Sequence, residues 1–285
     1  MTATAEHAPE IGRARPRKED ARLLRGRSRY TDNIALPGML HLSMVRSPVA
    51  RARITAIDTS AARSAQGVIA VLTGADLADV QGSMPNAWPI TEEQKAPHHP
   101  AMAEEVVNFA GEVVAAVIAR SPAAARDAAE LVDVDYEELT PVVDLATAAR
   151  DEELIYPDLG TNHSATWVFD SAEAGTGGNV KEAIAGSEVV VERTFRQQRL
   201  IPAFMEPRST VVDPTGEQIT MWSATQIPHI LRVMLALTLG IPESKLRVVA
   251  PDVGGGFGGK LQVTPEEVIT LLAAQRTGKP VKYTE

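Results

Sequence analysis

Residues 254–260 read Gly-Gly-Gly-Phe-Gly-Gly-Lys, with five glycines in six positions ahead of a cation. Glycine in regular structure costs about 0.5–1 kcal/mol relative to alanine, so a run of this density belongs to a loop. Such a loop serves where backbone must come close to another group, and its consecutive N–H groups can form a nest for an anion. A plain mobile turn is the alternative, but a turn needs one or two glycines rather than five around an aromatic. Two nucleotide patterns overlap the segment. Gly254, Gly256 and Gly259 satisfy G-x-G-x-x-G, yet that fingerprint begins its helix inside the motif, whereas the next helix signal here is Thr264. Gly254 to Lys260 also imitates a P-loop, but Leu261 stands where Ser or Thr must hold magnesium. The segment therefore reads as a cradle for a different anionic cofactor, with a nucleotide-binding α/β protein as the competing reading. His98 and His99 have no third ligand at metal-site spacing and read as part of a flexible loop.

The elements that must position this loop follow from local patterning. A strand over 245–250 leads into it. A helix follows from Thr264, where Pro265 at the first position and Glu267 three residues after the cap make a capping box. It ends before Gly278. Upstream, 208–213 and 218–223 read as a hairpin about Asp213-Pro214-Thr215-Gly216. The helix 227–239 has Pro228 in its first turn and Gly240 past its end. Its apolar residues cover most of the circumference, which predicts a buried helix. Residues 187–197 read as a further strand. In the first half, 39–45, 51–57, 68–72, 112–119 and 132–136 read as strands. Arg51, Arg53 and Thr55 alternate with Ala52, Ile54 and Ala56 in the manner of a sheet with one wet face. A short helical turn spans 60–65, and Ser121 with Pro122 starts a helix running to about 131. That strand–helix–strand order predicts a crossover unit. The Gly/Ser/Thr/Asn-rich stretch before Gly186 reads as a connector.

Composition narrows the classes. The 285 residues are 44% hydrophobic and 23% charged, ordinary globular proportions. No run approaches the roughly 20 apolar residues of a membrane span, and the first residues lack the apolar region of a signal peptide, so a cytoplasmic protein is expected. With no cysteine, disulfides, thiol catalysis and iron–sulfur ligation by these residues are excluded. A net charge of -9 argues against nucleic-acid binding. The basic run from Arg13 to Arg29, interrupted by Glu19 and Asp20, reads as a solvated or subunit-facing arm.

Beyond these local readings, the stretches GRARPRKEDARLLRGRSRYTDNI, ALPGMLHLSMVRSP, GVIAVLTGADL, PAFMEPRSTVV, WSATQIPH and PDVGGGFGGK occur in order along the sequence. Jointly they resemble the molybdenum-binding large subunit of the molybdenum hydroxylases: xanthine dehydrogenases, aldehyde oxidases and aerobic carbon monoxide dehydrogenases. The resemblance implies a mixed α/β fold. It would comprise an arm over 1–19, an α/β hammerhead domain over 20–145, a connector over 146–186, and the first part of a molybdopterin-binding domain over 187–285. It implies a molybdenum–molybdopterin cofactor, in the cytosine dinucleotide form, with Gln226 beside the metal and Gly255, Gly256, Phe257 and Gly258 contacting the cofactor through the main chain. Without the resemblance, Gln226 reads as a helix cap and Phe257 as a core aromatic. Glu206 is expected to pair with Arg208 or a backbone donor, and Lys260 to be a solvated loop end. Leu261 replaces the glutamate that follows this motif in purine hydroxylases. A purine substrate is therefore disfavoured, and an aldehyde-like, aromatic or carbon-monoxide-type substrate stays open. The resemblance also implies an iron–sulfur small subunit carrying 2Fe-2S and a medium subunit carrying FAD as partners. The family's general-base glutamate lies beyond the matched region. The expectation is thus a truncated or split large subunit with no catalytic residue of its own, inactive without the remainder of that subunit. A non-catalytic assembly fragment is the other alternative.

Overall fold

The computed structural model describes residues 11–86, 89, 91–169, 171, 175 and 177–285. In chain order the strands are β1 (Leu40–Arg46), β2 (Ala52–Asp58), β3 (Val68–Thr73), β4 (Val106–Val107), β5 (Val113–Ala119) and β6 (Asp133–Glu138), then β7 (Ser209–Asp213), β8 (Ile219–Ser223), β9 (Leu246–Val249) and β10 (Val281–Thr284). The helices are α1 (Asp20–Leu23), α2 (Ser60–Ser64), α3 (Gly74–Leu77), α4 (Pro122–Ala129), α5 (Leu145–Ala148), α6 (Val180–Ala185), α7 (Pro228–Leu239) and α8 (Pro265–Thr277). The expected mixed α/β class is what the chain adopts.

Strands of both halves join one seven-stranded sheet in the order β3-β5-β1-β10-β7-β8-β9. β1 runs parallel to β10, and β8 parallel to β9; the other pairs are antiparallel. β5 is buried along its whole length, as its unbroken apolar sequence VVAAVIA requires of an inner strand covered on both faces. α8 starts on its capping box, with Glu267 accepting from the Thr264 N–H, and stacks Val268, Ile269, Leu271 and Leu272 against the sheet. One apolar core thereby joins Leu40, Leu42 and Ile118 to Met221, Leu235, Ile269 and Val281. A smaller sheet, β4-β2-β6, packs Ala52 and Val107 against Val114 of β5.

Several expectations need correction. Residues 187–197 form no strand; Val189, Val191 and Phe195 lie exposed. The segment has the composition of a strand, but no described strand offers it a ladder, and an extended chain needs partners for its N–H and C=O groups. The unit β5–α4–β6 is not a crossover within one sheet. β6 pairs antiparallel with β2 in the small sheet, because Asp133 and Asp135 give it a wet face that the buried sheet would not accept. α7 buries one side only, through Leu231, Leu235 and Ala236, while Leu237 is exposed. Arg51, expected on a wet face, is buried and donates to Glu153 and to the carbonyls of Thr140 and Leu154. A register shift between Ile54 and Ala56 breaks the expected alternation in β2.

Candidate cofactor cradle

The glycine loop leaves β9 and closes in a tight turn. The Gly259 N–H donates to the Gly256 carbonyl at 2.7 Å, and the two residues between them have positive φ, +46° at Phe257 and +83° at Gly258. That is the mirror-image turn, which Gly258 adopts without cost. Phe257 does not: an L-residue in the left-handed region costs roughly 1–2 kcal/mol. Its ring is 75% exposed, so packing does not return that cost. A strained aromatic presented to solvent marks a surface shaped for something other than stability.

Gln226, two residues ahead of α7, lies directly against the loop. Its backbone N–H donates to the Lys260 carbonyl at 3.0 Å, and its side-chain Oε1 accepts from the Lys260 N–H at 3.3 Å. A Cβ placed on Gly256 would sit 2.7 Å from Gln226 Cγ and closer still to the amide. Gly256 is thus glycine because the Gln226 side chain occupies the space. With Oε1 committed to Lys260, the amide NH2 remains as a donor. Among the described residues, no acceptor within the chain meets the N–H groups of Gly255, Gly256, Phe257 and Gly258. The structure therefore brings together all five predicted residues: Gln226, Gly255, Gly256, Phe257 and Gly258.

Behind this face the loop is held by charge. Lys260, expected in solvent, is buried; its Nζ donates to Glu206 Oε2 and to the Glu206 carbonyl, each at 2.9 Å, and lies 4.5 Å above the Phe204 ring. Glu206 pairs with Lys260 rather than Arg208, and accepts from the Gly254 N–H at 2.7 Å as expected of a backbone donor. Arg208 instead pairs with Glu285 and donates to the Gly259 carbonyl. With both charges desolvated, removing one partner alone typically costs about 3–5 kcal/mol. At the loop's entry, Asp252 receives both guanidinium nitrogens of Arg22 and the Arg29 N–H. The Arg22 guanidinium and that N–H hold its carboxyl down to about 2. Part of the basic run thus clamps the cradle instead of standing free. At the loop's exit, Glu267 accepts from the Ser223 hydroxyl at 2.6 Å, and burial pushes its carboxyl up to about 7.

The Lys260–Glu206 pair is not apparent from the sequence, because its partners are far apart in the chain. A hint was present in each charge lying inside an otherwise apolar or glycine-rich stretch. His99 is not in a free loop. It is half-buried, with Nδ1 3.3 Å from the Tyr156 hydroxyl and 3.6 Å from the buried carboxylate of Glu112. Burial first, and then the neighbouring His98, hold its imidazole below the usual range. Among the described residues no group of three potential metal ligands occurs, and no helix is long and apolar enough to cross a membrane.

An α/β hammerhead unit leading into a glycine cradle faced by a glutamine amide is matched by two family descriptions. Residues 25–140 match the aldehyde oxidase and xanthine dehydrogenase a/b hammerhead domain, and residues 160–285 match the molybdopterin cofactor-binding domain. The chain belongs to the molybdenum hydroxylase large-subunit family. It is 39% identical, over 96% of its length, to the nicotine 6-hydroxylase large subunit of Paenarthrobacter nicotinovorans, covering 33% of that protein. It is 36% identical, over 95% of its length, to the carbon monoxide dehydrogenase large chain of Hydrogenophaga pseudoflava, covering 35%. Among solved structures, quinoline 2-oxidoreductase from Pseudomonas putida 86 superposes with a TM-score of 0.83 at 38% identity, over 94% of this chain and 34% of that one. Reconstituted CO dehydrogenase from Oligotropha carboxidovorans gives 0.82 at 35% identity, over 96% and 35%. The chain thus spans about a third of the length of these relatives.

Proposed function

We propose that this chain forms one wall of the molybdenum–molybdopterin site of a hydroxylase large subunit. The observation that carries the reading is the contact of Gln226 with Gly256, beside four amides with no protein acceptor. An anionic pterin would fit that donor set: the N–H groups of Gly255 to Gly258 would hold it through hydrogen bonds, and the Gln226 NH2 would add a neutral side-chain donor beside them. Held there, the group supplies two-electron oxidation of a substrate carbon with oxygen from water. Phe257 shields that face from solvent, and Lys260 with Glu206 keeps the loop from shifting when the ligand enters.

The cofactor is the cytosine dinucleotide form, and the substrate is an aldehyde, an N-heterocycle or a CO-type molecule. Electrons leave to 2Fe-2S and FAD centres on an iron–sulfur small subunit and a medium subunit. The remainder of the large subunit covers the exposed apolar run that includes Val189, Val191, Phe195 and Ile201. These 285 residues alone do not turn substrate over. Glu206, packed against the loop, has its Oε2 engaged by Lys260 and the Gly254 N–H, and Glu267 is buried.

The test is expression in a host that makes the cofactor, alone and joined to the remaining part of a relative's large subunit. Pterin is read by fluorescence after oxidative release, and metal by elemental analysis. The expected result is pterin retained by the joined protein and lost from Gly256→Val, with circular dichroism unchanged. Equal pterin in both, hydroxylation by the 285-residue chain, or saturable ATP or NAD binding abolished by Gly256→Val would each overturn part of the reading.

A further inference from the structure

The residues just ahead of β7 alternate. Pro202, Phe204, Glu206 and Arg208 are half-buried, whereas Ile201, Ala203, Met205 and Pro207 are exposed. An extended strip with one covered face has this period of two. What the covered face meets is the glycine loop. The Glu206 N–H donates to the Gly254 carbonyl at 3.2 Å, and its Oε2 accepts from the Gly254 N–H at 2.7 Å. Arg208 donates to the Gly259 carbonyl at 3.0 Å. Phe204 stands between these two anchors.

Its ring accounts for two of the glycines. A Cβ on Gly259 would meet Phe204 Cε1 at 2.8 Å and Pro202 Cγ at 3.1 Å, and one on Gly255 would meet Phe204 Cβ at 3.2 Å. Phe204 thus touches the loop on both sides of the turn that Gly256 and Gly259 close. Two cations lie over the ring, Lys260 Nζ at 4.5 Å from its centroid and Arg208 Cζ at 5.2 Å, both within cation–π reach. Phe204 belongs to none of the apolar clusters that form the core among the described residues. Its packing is directed to the loop.

We propose that Phe204 is a positioning residue of the cradle. Its ring is the block over which residues 255–259 bend, so the N–H groups of Gly255 to Gly258 are set in place before a ligand arrives. Glycine backbone has the most conformational freedom to lose, and a loop that must be ordered on binding lowers affinity by that cost. A rigid ring wedged against two glycines and capped by two cations removes much of the cost in advance. The inference deepens the reading above and rests on it for the link to the cofactor; the shaping of the loop does not depend on that link.

The test is amide hydrogen exchange by NMR on the 285-residue chain, with the β5 amides as internal control. Phe204→Ala should speed exchange of the Gly259 N–H, which closes the turn, by about tenfold, the size of one good cation–π contact. The β5 amides should keep their rates, because local opening is separable from global unfolding. Phe204→Tyr retains the ring and should exchange as wild type does. Gly259→Ala, at a position without positive φ, should also loosen the turn. Combined with Phe204→Ala it should add less than the sum, since the shortened side chain vacates the space that the new Cβ needs. In the joined large subunit, pterin retention should fall in Phe204→Ala and hold in Phe204→Tyr. Unchanged Gly259 exchange in Phe204→Ala overturns the inference. So does equal acceleration of the β5 amides, which is the mark of a merely structural residue, or Phe204→Tyr exchanging as fast as Phe204→Ala. Faster Gly259 exchange in a protein that takes up no pterin would remove the cofactor reading and leave the shaping role standing. Full pterin retention by Phe204→Ala would remove this inference alone.

Discussion

Replacing Gly256 with alanine isolates the contact on which the cofactor wall depends. The new Cβ lands on Gln226, 2.7 Å from Cγ and nearer to the amide, and two heavy atoms cannot share that space. The backbone has no quarrel with the substitution, since Gly256 is absent from the positive-φ positions. Gln226 is exposed, and its side chain swings aside without disturbing the core. What is lost is the hydrogen bond from the Lys260 N–H to Oε1, already long at 3.3 Å. A neutral bond of this kind contributes about 0.5–1.5 kcal/mol net. For a chain of this size such a loss shifts Tm by about 2–4 °C per kcal/mol. The expected outcome is therefore a folded protein with a small thermal shift and a displaced glutamine. Heteronuclear NMR reads it directly, because the Lys260 amide loses protection from exchange and the Gln226 side-chain amide signals move. Pterin retention should fall in parallel. An unchanged Lys260 amide would refute the assigned contact. A stability loss beyond about 3 kcal/mol would refute the claim that only a side chain moves, since that size belongs to core disruption.

The buried Lys260–Glu206 pair makes its own prediction. Lys260→Ala should destabilise by about 3–5 kcal/mol in urea unfolding, and the double variant Lys260→Met/Glu206→Gln should recover most of it. Equal stability of Lys260→Ala and wild type would contradict the burial of the pair. Glu267 predicts a pH dependence. Burial raises its carboxyl from the ordinary 4.5 to about 7, so the fold prefers the protonated form. Its contribution is fully present below about 4.5 and fades as pH rises through about 7, by about 3 kcal/mol in all. Wild type should therefore lose stability relative to Glu267→Gln between those values, and a difference independent of pH would contradict the assignment.

The local grammar of the second half was legible in the sequence. The 209–223 hairpin follows from its Asp-Pro-Thr-Gly turn, and both long helices follow from Pro228 with Gly240 and from the Thr264 box with Gly278. These signals act within a few residues, so they survive whatever the distant chain does. What was not legible is pairing across long separations. Nothing near Lys260 announces Glu206, nothing near Asp133 announces β2, and nothing in 187–197 reveals that it finds no ladder among the described strands. Arg51 shows the same limit, because its burial depends on carbonyls of the 140–155 stretch folding over it. For the cradle, glycine density marked the loop. The strained φ of Phe257 and the wedge of Gln226 into Gly256 are products of tertiary packing and leave no local mark in the sequence.

The position of β10 has a consequence for how this polypeptide comes to be folded. Val281–Thr284 sits in the middle of the large sheet, with Leu40 opposite Val281 on one side and Val212 on the other. During synthesis β1 and β7 both precede it, so each waits with one bare edge until those four residues leave the ribosome. Unpaired edges invite pairing with foreign strands, and ladders between distant segments form slowly. A cut in the 140–160 region would yield a hammerhead piece with β1 permanently stripped on one side, an aggregation hazard and not a free-standing module.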